Sequence, residues 1–520
     1  MTSAFRQPPA AGGARRFLSS IGLPALLGAV TVFGFAPFNF FYLPVLTFAS
    51  LVVLWLQSTG RGNAALIGLS FGLGLFCVGM HWIYISLHDF GGMPAPLAVF
   101  CTFLLGVILA CFPALTGWAQ SVFRVPTWVR VCIVIPALWT LFEWLRGWVF
   151  TGLPWLALGY TQVPTGPLAD YAPLVGVFGV TLILTFIAGA IGLIWRGTFN
   201  GLQPKTYFFL SALLLVLLVP LPWLLHGITW THPEGKPISV NLLQGNITQD
   251  IKWKPETIAS TLQTYRKLIL ASTSKLVITP ETAFPIFLDQ LPEELIQEVS
   301  NHARSNGSDL LVGIPENTSA TTYHNSVISL GTSPKQTYRK NHLVPFSEFI
   351  PFKWLIGWIY DDLLNMPLAD FTAGGADQKP FSVAGQKVAM TNCYEDLFGE
   401  ELIQQLPTAT LLANVSNDAW FGHSWGPQQH LQISQMRALE TGRYMLRATN
   451  TGVTAIIDQH GRVLRRVPEF TTVSLDGMAQ GYQGATPYVR FGNQVVVYLC
   501  IALLAVGVFF HRRAPSAETS

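Results

Sequence analysis

Long apolar runs occupy the first 227 residues of the chain, whereas shorter apolar runs alternate with polar ones through most of the remainder. A helix needs about 20 predominantly apolar residues to cross the core of a bilayer. Runs of this kind predict eight transmembrane helices, near 17–35, 41–57, 63–87, 94–118, 130–150, 173–195, 206–226 and 492–511. The second run is short and charge interrupts the fifth, so a count that differs by one is the alternative. The pattern predicts a polytopic α-helical membrane bundle.

Seven short apolar runs between residues 228 and 490 are typical of buried β-strands. They lie at 238–243, 275–279, 309–314, 326–330, 387–391, 409–415 and 454–458. Amphipathic helical patterns lie between several of these runs, at 292–307 and 428–448. Strands that alternate with helices in this way predict one large α/β domain.

The segment 346–380 is long, aromatic and weakly patterned, and a mobile flap is one interpretation of it. Four of its apolar side chains are suited either to meeting a lipid surface or to ordinary core packing. They are Trp354, Ile356, Trp358 and Met366.

These patterns divide the chain into three predicted parts. Residues 1–227 form a transmembrane bundle of about seven helices, residues 228–490 form the α/β domain, and residues 491–520 form a final transmembrane helix with a short tail. The first span carries no convincing small-residue cleavage site and the second span follows it at once. We therefore expect an anchor and not a removed signal peptide.

The placement of positive charge predicts the orientation of the bundle, because cytoplasmic loops are enriched in Lys and Arg. With the N-terminus inside, the short outer loops are nearly free of these residues, and Arg146 at the outer end of the fifth span is the exception. The cations that then face the cytoplasm are Arg6, Arg15, Arg16, Arg61, Arg124, Arg130, Arg196, Lys205, Arg512 and Arg513. The α/β domain is therefore expected outside, which in a bacterium is the periplasm.

Composition agrees with a membrane protein, since 50% of the 520 residues are hydrophobic and only 11% are charged, against about 25% in soluble domains. The net charge of +3 and the absence of a basic run argue against a nucleic-acid partner. The sequence has no HExxH motif, no paired CxxC and no glycine-rich phosphate loop. We therefore expect no metal and no nucleotide cofactor, and interpret His81 as a hydrogen-bonded interfacial residue.

Cys393 is the single cysteine of the predicted outer domain. The other five lie in predicted spans, where a thiol behaves as a small apolar group: Cys77, Cys101, Cys111, Cys132 and Cys500. An unpaired thiol in an oxidising compartment is open to oxidation, so its presence requires an explanation. An inert core thiol is one explanation. Because Cys393 follows the apolar run 387–391, it lies at the mouth of a strand, where α/β domains place their sites, and this favours a nucleophile.

A nucleophilic cysteine needs a base for its proton and a group that stabilises the oxyanion on the attacked carbonyl. Glu281 follows the predicted strand 275–279, and Lys340 precedes Glu348 by eight residues. Each has another interpretation: Glu281 as a helix-starting glutamate after Pro280, and Lys340 as a solvated surface lysine. The three residues are candidates for these roles.

Four sequence blocks, in order, resemble the nitrilase superfamily: TPETAFP, YRKNHLVPFSEFIP, TNCYED and NVSNDAWFGHSWGPQQH. Together with the membrane spans and the blocks HWIYISLHDFGG and FEWLRGW, they make the chain similar to the apolipoprotein N-acyltransferases over essentially its whole length. The resemblance implies an αββα sandwich. It also implies transfer of an acyl chain from the sn-1 position of a phospholipid, such as phosphatidylethanolamine, to the N-terminal diacylglyceryl-cysteine of an apolipoprotein.

The resemblance further implies that Cys393 is the nucleophile, Glu281 the general base and Lys340 the group that stabilises the tetrahedral intermediate. Four more residues match family positions that support catalysis or engage substrate: Glu348, Tyr394, Glu395 and Trp253. We expect a cofactor-free monomer in the bacterial inner membrane, whose partners are a phospholipid donor and a diacylated apolipoprotein acceptor.

The chain departs from the family pattern at two positions. Thr279 stands where an aromatic residue often precedes the Pro-Glu pair, and Ser347 replaces a glycine before Glu348. If this position needs a left-handed backbone, serine is less favourable than glycine.

Two charged residues near the outer end of the fifth span, Glu143 and Arg146, are neighbours at i and i+3. A contact with a lipid headgroup is one interpretation, and a mutual ion pair is the one that we favour.

Three other functions are compatible with parts of the sequence. A membrane-anchored amidase or nitrilase-type hydrolase shares the catalytic residues, but it would need one anchor and not a bundle. A transporter would need ionisable residues along a buried path, and only Glu143 and Arg146 come close. A binding protein with an inactive domain disagrees with the complete set of catalytic residues.

Overall fold

The computed structural model describes residues 18–200, 212, 215, 216, 218–319, 322–351, 353, 354 and 370–513. Helices with apolar residues on most of their surface form the bundle, as expected for segments solvated by lipid and by one another. They are α1 (Leu23–Thr31), α2 (Leu43–Leu56), α3 (Arg61–Gly79), α4 (Ala95–Val122), α5 (Ile135–Arg146) and α6 (Ala172–Asn200). Short helical turns extend α1 and α5 at their ends, and α7 (Gln494–Arg513) completes the membrane part.

Five helical segments of the described residues are long and apolar enough to cross a membrane: 61–79, 95–122, 127–146, 167–196 and 494–513. Two shorter apolar segments, Leu18–Gly34 and Leu43–Leu56, match the first two predicted spans. Most of the predicted span 206–226 lies outside the described residues, which include a short helix at Leu221–Leu225. The structure therefore agrees with the prediction of a polytopic helical bundle.

Glycines bring α1 and α3 into backbone contact. A Cβ added to Gly28 would lie 1.9 Å from the carbonyl oxygen of Phe71, and a Cβ on Gly74 would lie 1.9 Å from that of Ala25. Small residues at such crossings are the usual means of tight helix packing in lipid, where apolar burial alone gives little driving force.

The α/β domain contains two six-stranded sheets. The first has the order β12-β1-β2-β3-β4-β5 and the second has the order β11-β10-β9-β8-β7-β6. Three central strands are parallel in each sheet, β1-β2-β3 and β7-β8-β9. The strands of the first sheet are β1 (Thr231–Gln244), β2 (Leu276–Ile278), β3 (Asp309–Ser319), β4 (Thr322–Gly331), β5 (Thr337–Arg339) and β12 (Val473–Gly484). Those of the second are β6 (Phe381–Val383), β7 (Gln386–Asn392), β8 (Leu411–Ser416), β9 (Met445–Thr449), β10 (Ala455–Ile457) and β11 (Val463–Arg466).

The two sheets pack face to face across one apolar core, which includes Val240, Leu276, Met390 and Leu446. Helices α8 (Pro255–Leu270) and α9 (Glu293–Ser305) cover the outer face of the first sheet. Helix α10 (Gly426–Thr441) covers the second. These layers form the αββα sandwich implied by the family resemblance.

Helix α10 also packs against the bundle, so the second sheet is separated from the membrane helices by this one helix. Its residues Ile433 and Met436 belong to the core of the bundle. Gln432 accepts a hydrogen bond from the Ala36 backbone N–H at 3.0 Å and donates one to the Val163 carbonyl at 2.8 Å. Buried amides that are paired in this way tie the catalytic domain firmly to the bundle.

All seven predicted strands are present, as β1, β2, β3, β4, β7, β8 and β10. The helix predicted at 428–448 is wrong at its end, because α10 stops at Thr441 and residues from Met445 onward form β9. Gly442 ends the helix with a φ of 66° in the left-handed region, which glycine adopts at little cost.

The middle of the possible flap at 346–380, residues 355–369, lies outside the described residues, and it contains Ile356, Trp358 and Met366. Trp354 is described and is 83% exposed, which suits a surface role better than core packing.

No direct salt bridge joins Glu143 and Arg146 among the described contacts, but their opposite charges lie near enough to stabilise each other. Arg146 Nη1 instead donates to the carbonyl oxygens of Leu153 and Trp155, at 2.7 and 2.5 Å. The two Glu143 carboxylate oxygens accept hydrogen bonds from the Leu158 N–H and the Thr181 hydroxyl. Each side chain therefore holds the connection between α5 and α6, which contains only short 3₁₀ turns and whose remaining backbone groups need partners at this depth.

Candidate active site

Cys393 directly follows β7, Glu281 lies three residues beyond β2, and Lys340 directly follows β5. The strand ends bring all three to one edge of the sandwich. Cys393 has a φ of 52°, a left-handed conformation that costs a non-glycine residue energy and is found most often at functional sites. It begins a short 3₁₀ turn, Cys393–Leu397, in which Asn392 and Glu395 form a reciprocal capping box.

Lys340 lies between two carboxylates. Its Nζ is 2.9 Å from Glu348 Oε1 and 3.3 Å from Glu281 Oε1, and its side chain is 1% exposed. The Asn325 side-chain amide donates to the same two oxygens, at 2.7 Å to Glu281 and 3.1 Å to Glu348. The predicted catalytic residues Glu281 and Lys340 and the predicted supporting residue Glu348 therefore form one buried, hydrogen-bonded cluster.

Glu281 is oriented from both sides. Its Oε2 accepts a hydrogen bond from the backbone N–H of Asn417 at 2.9 Å, while its Oε1 faces Asn325 and Lys340. Burial alone would raise the pKa of this carboxyl, but the charges of Lys340 and Lys252 hold it below its ordinary value. Glu281 is thus ionised at neutral pH and able to accept a proton.

Cys393 faces this cluster as a neutral thiol. Burial raises the pKa of the thiol, the negative charge of Glu281 raises it further, and Lys340 opposes the increase. The thiol is partly buried in the folded chain. Since the thiolate is the reactive species, this cysteine needs a neighbouring base at the moment of attack, and Glu281 is in place.

Lys340 keeps its positive charge in this environment. Burial alone would lower its pKa, but Glu281 and Glu348 raise the pKa above the ordinary value. A permanently charged ammonium beside the thiol is suited to stabilising an oxyanion.

Glu395 joins the loop that carries Lys340 to the loop that carries Cys393. Its Oε1 accepts the backbone N–H groups of Asn341 at 2.6 Å and His342 at 3.0 Å, and its Oε2 accepts the Tyr338 hydroxyl and the Asn392 N–H. Burial raises the pKa of this carboxyl to about 6 against the effect of these donors. Glu395 thus connects the loop of Lys340 with the loop of Cys393, which gives a structural reason for its match to a family position.

Tyr394 extends from the nucleophile to the membrane part. Its hydroxyl donates to the carbonyl oxygen of Gly152 at 2.5 Å. His342, two residues after Lys340, bonds to the Thr151 carbonyl at 2.9 Å and stacks on Phe398. A loop between two membrane helices therefore contacts both sides of the candidate site.

Trp253 does not join the cluster, since its side chain is 50% exposed. The preceding residue, Lys252, is 2% exposed, and its Nζ donates to the Glu281 carbonyl oxygen at 3.2 Å. The Trp253 ring is thus half exposed, and the Lys252 ammonium lies 6.0 Å from its centroid on the side of the cluster.

Ser347 does not occupy a left-handed position. The left-handed residue of this turn is Phe346, with a φ of 65°. The Glu348 side chain fixes this turn, because its carboxylate accepts a hydrogen bond from the Val344 N–H at 2.8 Å. Serine in place of glycine at position 347 therefore causes no strain from a left-handed backbone conformation.

A buried charged network supports the site from the side of α10. His430 contacts Asp396 through Nε2 and Asp418 through Nδ1, both at 2.9 Å. Arg447 binds the same two carboxylates. Ser416 donates to Asp418 at 2.9 Å, and hydrogen bonding by Ser416 also lowers the pKa of the Cys393 thiol, so the network reaches the candidate nucleophile.

Sequence reasoning missed four polar residues of the site: Lys252, Asn325, Asn417 and His342. Three of them lie in or beside segments that the sequence marked, because Lys252 precedes Trp253, Asn417 lies in NVSNDAWF and His342 in YRKNH. Asn325 lies inside β4, where nothing in its surroundings distinguishes it from a structural asparagine.

Two family models match the chain. One is described as the apolipoprotein N-acyltransferase N-terminal domain and matches residues 27–190, and the other as carbon-nitrogen hydrolase and matches residues 239–488. An apolipoprotein N-acyltransferase of Nitrosomonas europaea is 53% identical over 92% of this chain and 95% of its own length. One of Chromobacterium violaceum is 46% identical over 96% and 95%.

Solved structures with a similar fold cover about half of the chain. The NitFhit protein of C. elegans has 16% identity and a TM-score of 0.35, over 53% of this chain and 65% of its own. A mutant of the amidase from Nesterenkonia sp. AN1 has 16% identity and a TM-score of 0.34, over 51% and 97%.

Proposed function

The chain belongs to the apolipoprotein N-acyltransferase family, and we propose that it takes its acyl chain from the sn-1 ester of a phospholipid, with phosphatidylethanolamine as the expected donor. The acceptor is the α-amino group of the diacylglyceryl-cysteine at the N-terminus of an apolipoprotein. The observation that carries this proposal is the buried Glu281–Lys340–Glu348 cluster facing the Cys393 thiol. The product is a triacylated lipoprotein.

In the first half of the proposed reaction, Glu281 accepts the thiol proton and the Cys393 sulfur attacks the ester carbonyl carbon. The ester C–O bond breaks, the proton passes from Glu281 to the departing alkoxide, and the lysophospholipid leaves. The acyl chain is now a thioester on Cys393. Glu281 suits this role because its carboxylate is oriented by Asn325 and Asn417.

The negative charge that develops on the carbonyl oxygen needs donors already in place. Lys340 supplies a buried ammonium, and we assign the second donor to a backbone N–H at Tyr394 in the 3₁₀ turn after Cys393. One well-placed donor of this kind stabilises a transition state by about 3–4 kcal/mol.

In the second half, the neutral α-amine of the acceptor attacks the thioester carbonyl. Glu281 takes a proton from the attacking nitrogen and returns it to the departing sulfur, so an amide forms and the thiol is regenerated. Two half-reactions that share one covalent intermediate give ping-pong kinetics.

Both lipids keep their chains in the bilayer, since extraction costs about 0.8 kcal/mol for each CH₂ group. The site must therefore meet the membrane surface. Exposed aromatic side chains near the site suit this meeting: Trp148 and Phe150 on the bundle loop, and Trp253 on the α/β domain.

We further propose that the protein resides in the bacterial inner membrane with residues 228–490 in the periplasm, between a bundle of residues 1–227 and a final helix in residues 491–520. The placement of Lys and Arg supports this orientation. We also propose a monomeric enzyme without a cofactor, because Glu281, Lys340 and Cys393 supply the base, the oxyanion donor and the nucleophile that this mechanism requires.

The acyl-enzyme is tested with purified full-length protein and phospholipid carrying a labelled sn-1 chain, without an acceptor. A hydroxylamine-sensitive label is expected on Cys393. It should be absent in Cys393→Ala and present in Cys111→Ala, which removes an exposed thiol in a membrane helix. Absence of the label from the wild-type protein would contradict the thioester mechanism.

Addition of a diacylated lipopeptide then separates the transferase from a hydrolase. The label should pass to the free amine of the peptide, and a peptide with an acetylated amine should not remove it. Release of the label into water at the same rate with either peptide would instead support the hydrolase.

A further inference from the structure

The cluster described above contains a second lysine to which the mechanism has given no role. Lys252 lies in the turn after β1 and its side chain is almost completely buried, at 2% exposure. Its Nζ donates to the Glu281 backbone carbonyl at 3.2 Å. A buried ammonium is costly unless nearby negative charge compensates it, so its place beside the catalytic carboxylate requires a reason.

The charges at the site balance only when Lys252 is counted. Glu281 and Glu348 both approach Lys340, which is nearer to Glu348, at 2.9 Å against 3.3 Å. Two carboxylates that share a single cation at such distances do not both ionise easily, and one tends to retain a proton. A protonated Glu281 is unable to accept the proton of Cys393.

We propose that Lys252 is the second cation of the active site, and that its charge balances Glu281 while that of Lys340 balances Glu348. Lys252 is in this sense a positioning residue, which keeps the base unprotonated and fixes its main chain through the carbonyl. The inference rests on the proposed function, because it assigns to Glu281 the role of base.

The ionisable groups around Glu281 agree with this assignment. Lys340 faces it from the end of β5, Lys252 from the turn after β1, and the Cys393 thiol from the end of β7. Glu348 lies across Lys340. Asp418, whose charge acts on the Cys393 thiol, is already paired with the cations His430 and Arg447, so it does not compete for Lys252.

The charge of Lys252 is available at neutral pH. Burial lowers its pKa to about 8, and the negative charge of Glu281 opposes a larger decrease. Lys252 is therefore cationic below about pH 8 and loses its charge above it.

The test is the pH dependence of Cys393 reactivity in the full-length protein and in Lys252→Met. Iodoacetamide alkylation of the Cys393 peptide, followed by mass spectrometry, reports reactivity without any lipid substrate, and acylation by labelled phospholipid is followed in parallel. In Lys252→Met the midpoint of the acidic limb, where the rate falls as Glu281 becomes protonated, should shift to higher pH by about one unit or more in both profiles. Both rates should fall about tenfold at pH values below the midpoint of the wild-type limb, and the variant should approach the wild type at pH values well above its own midpoint.

Three variants separate charge from packing. Lys252→Gln retains a donor for the Glu281 carbonyl without the charge, and it should behave like Lys252→Met; it also replaces that variant if the latter does not fold. Lys252→Arg retains the charge, and its acidic limb should stay near that of the wild type. Lys254→Met removes an exposed lysine from the same segment and should leave the profile unchanged.

An acidic limb that does not move in Lys252→Met and Lys252→Gln would overturn the proposal. An equal loss of rate at every pH would overturn it as well, because that is the result of a purely structural role. If the wild-type protein forms no thioester, the proposed function fails on its own, while the alkylation profiles still decide the role of Lys252.

Discussion

The hydroxyl of Tyr394 donates a hydrogen bond to the carbonyl oxygen of Gly152. One of these residues directly follows the candidate nucleophile, and the other lies in the loop after membrane helix α5. The position of Cys393 is therefore linked by one side chain to the outer end of the bundle.

Replacement Tyr394→Phe should lower the rate of Cys393 acylation about 3- to 10-fold, because it removes a hydrogen bond with a net value of about 1 kcal/mol. The rate is measured with labelled phospholipid in detergent micelles. Tyr482→Phe, which removes a hydroxyl from β12, is the matched control. Equal rates in the two variants would show that the link to Gly152 does not position the nucleophile.

Gly152→Ala should cause a larger loss. Gly152 has a φ of 86°, and an added Cβ would lie 2.0 Å from the carbonyl oxygen of Gly147, so the loop has to move away from Tyr394. We expect more than a tenfold decrease in acylation with the protein still folded, as judged by its thermal unfolding. Gly62→Ala adds a methyl group to a membrane helix where no atom lies within 4 Å, and its activity should match that of the wild type.

Glu395→Gln should destabilise the protein by about 1.5–3 kcal/mol. Both carboxylate oxygens accept backbone N–H groups, so the amide NH₂ faces a donor in either orientation. Acylation should fall together with the unfolding temperature, because the loops of Lys340 and Cys393 lose their common anchor. Glu293→Gln, on the exposed side of α9, should change neither quantity; an unchanged unfolding temperature in Glu395→Gln would contradict this account.

His430 should make stability depend on pH. Burial and Arg447 lower its pKa, but Asp396 and Asp418 outweigh them and raise it to about 9, against about 6.5 in an unfolded chain. The stabilisation is therefore complete below about pH 6.5 and is lost as the pH rises through about 9. The unfolding temperature of the wild type should fall between pH 7 and pH 9.5, and in His430→Gln it should be lower at pH 7 and depend less on pH.

Loss of one partner from a buried charge network costs about 3–5 kcal/mol, so the His430→Gln effect should be large. His460→Gln replaces an exposed histidine and should retain the pH dependence of the wild type. A wild-type unfolding temperature that is constant from pH 7 to pH 9.5 would exclude a charged His430.

Much of the fold was predictable because its signals are local. An apolar run long enough to cross a bilayer, or short enough to be a buried strand, appears in any window of sequence. Strands β5 and β11 lacked this signal, since they are short and partly exposed. Helix α10 was extended too far because the signal that ends it is the single residue Gly442.

The nucleophile and its partners were predicted from strand mouths and from the family resemblance, and the structure places them together. Glu348, Tyr394 and Glu395 were also predicted as supports, but the groups that orient these residues were not, because such contacts depend on pairing between distant segments. Asn325 is 44 residues from Glu281, and Gly152 is 242 residues from Tyr394. Glu143 and Arg146 show a different limit: their closeness in sequence suggested a direct salt bridge, whereas the hydrogen bonds of both side chains go to other groups.

Helix α10 has consequences for the mechanics of turnover. Every residue from Gly426 to Thr441 except Gln428 is buried, and its amides bind the bundle on one side while the helix packs on the catalytic sheet on the other. Separation of the α/β domain from the bundle would leave these polar groups without hydrogen-bond partners, at a cost of about 1–3 kcal/mol each. The helix is therefore a rigid connection between the bundle and the α/β domain, and not a hinge. The two lipid substrates must then enter and leave through movements of the loops around the site, such as the bundle loop that carries Trp148 and Phe150. The turnover rate should therefore respond to changes in those loops, and not to changes in the strength of contact between the bundle and the α/β domain.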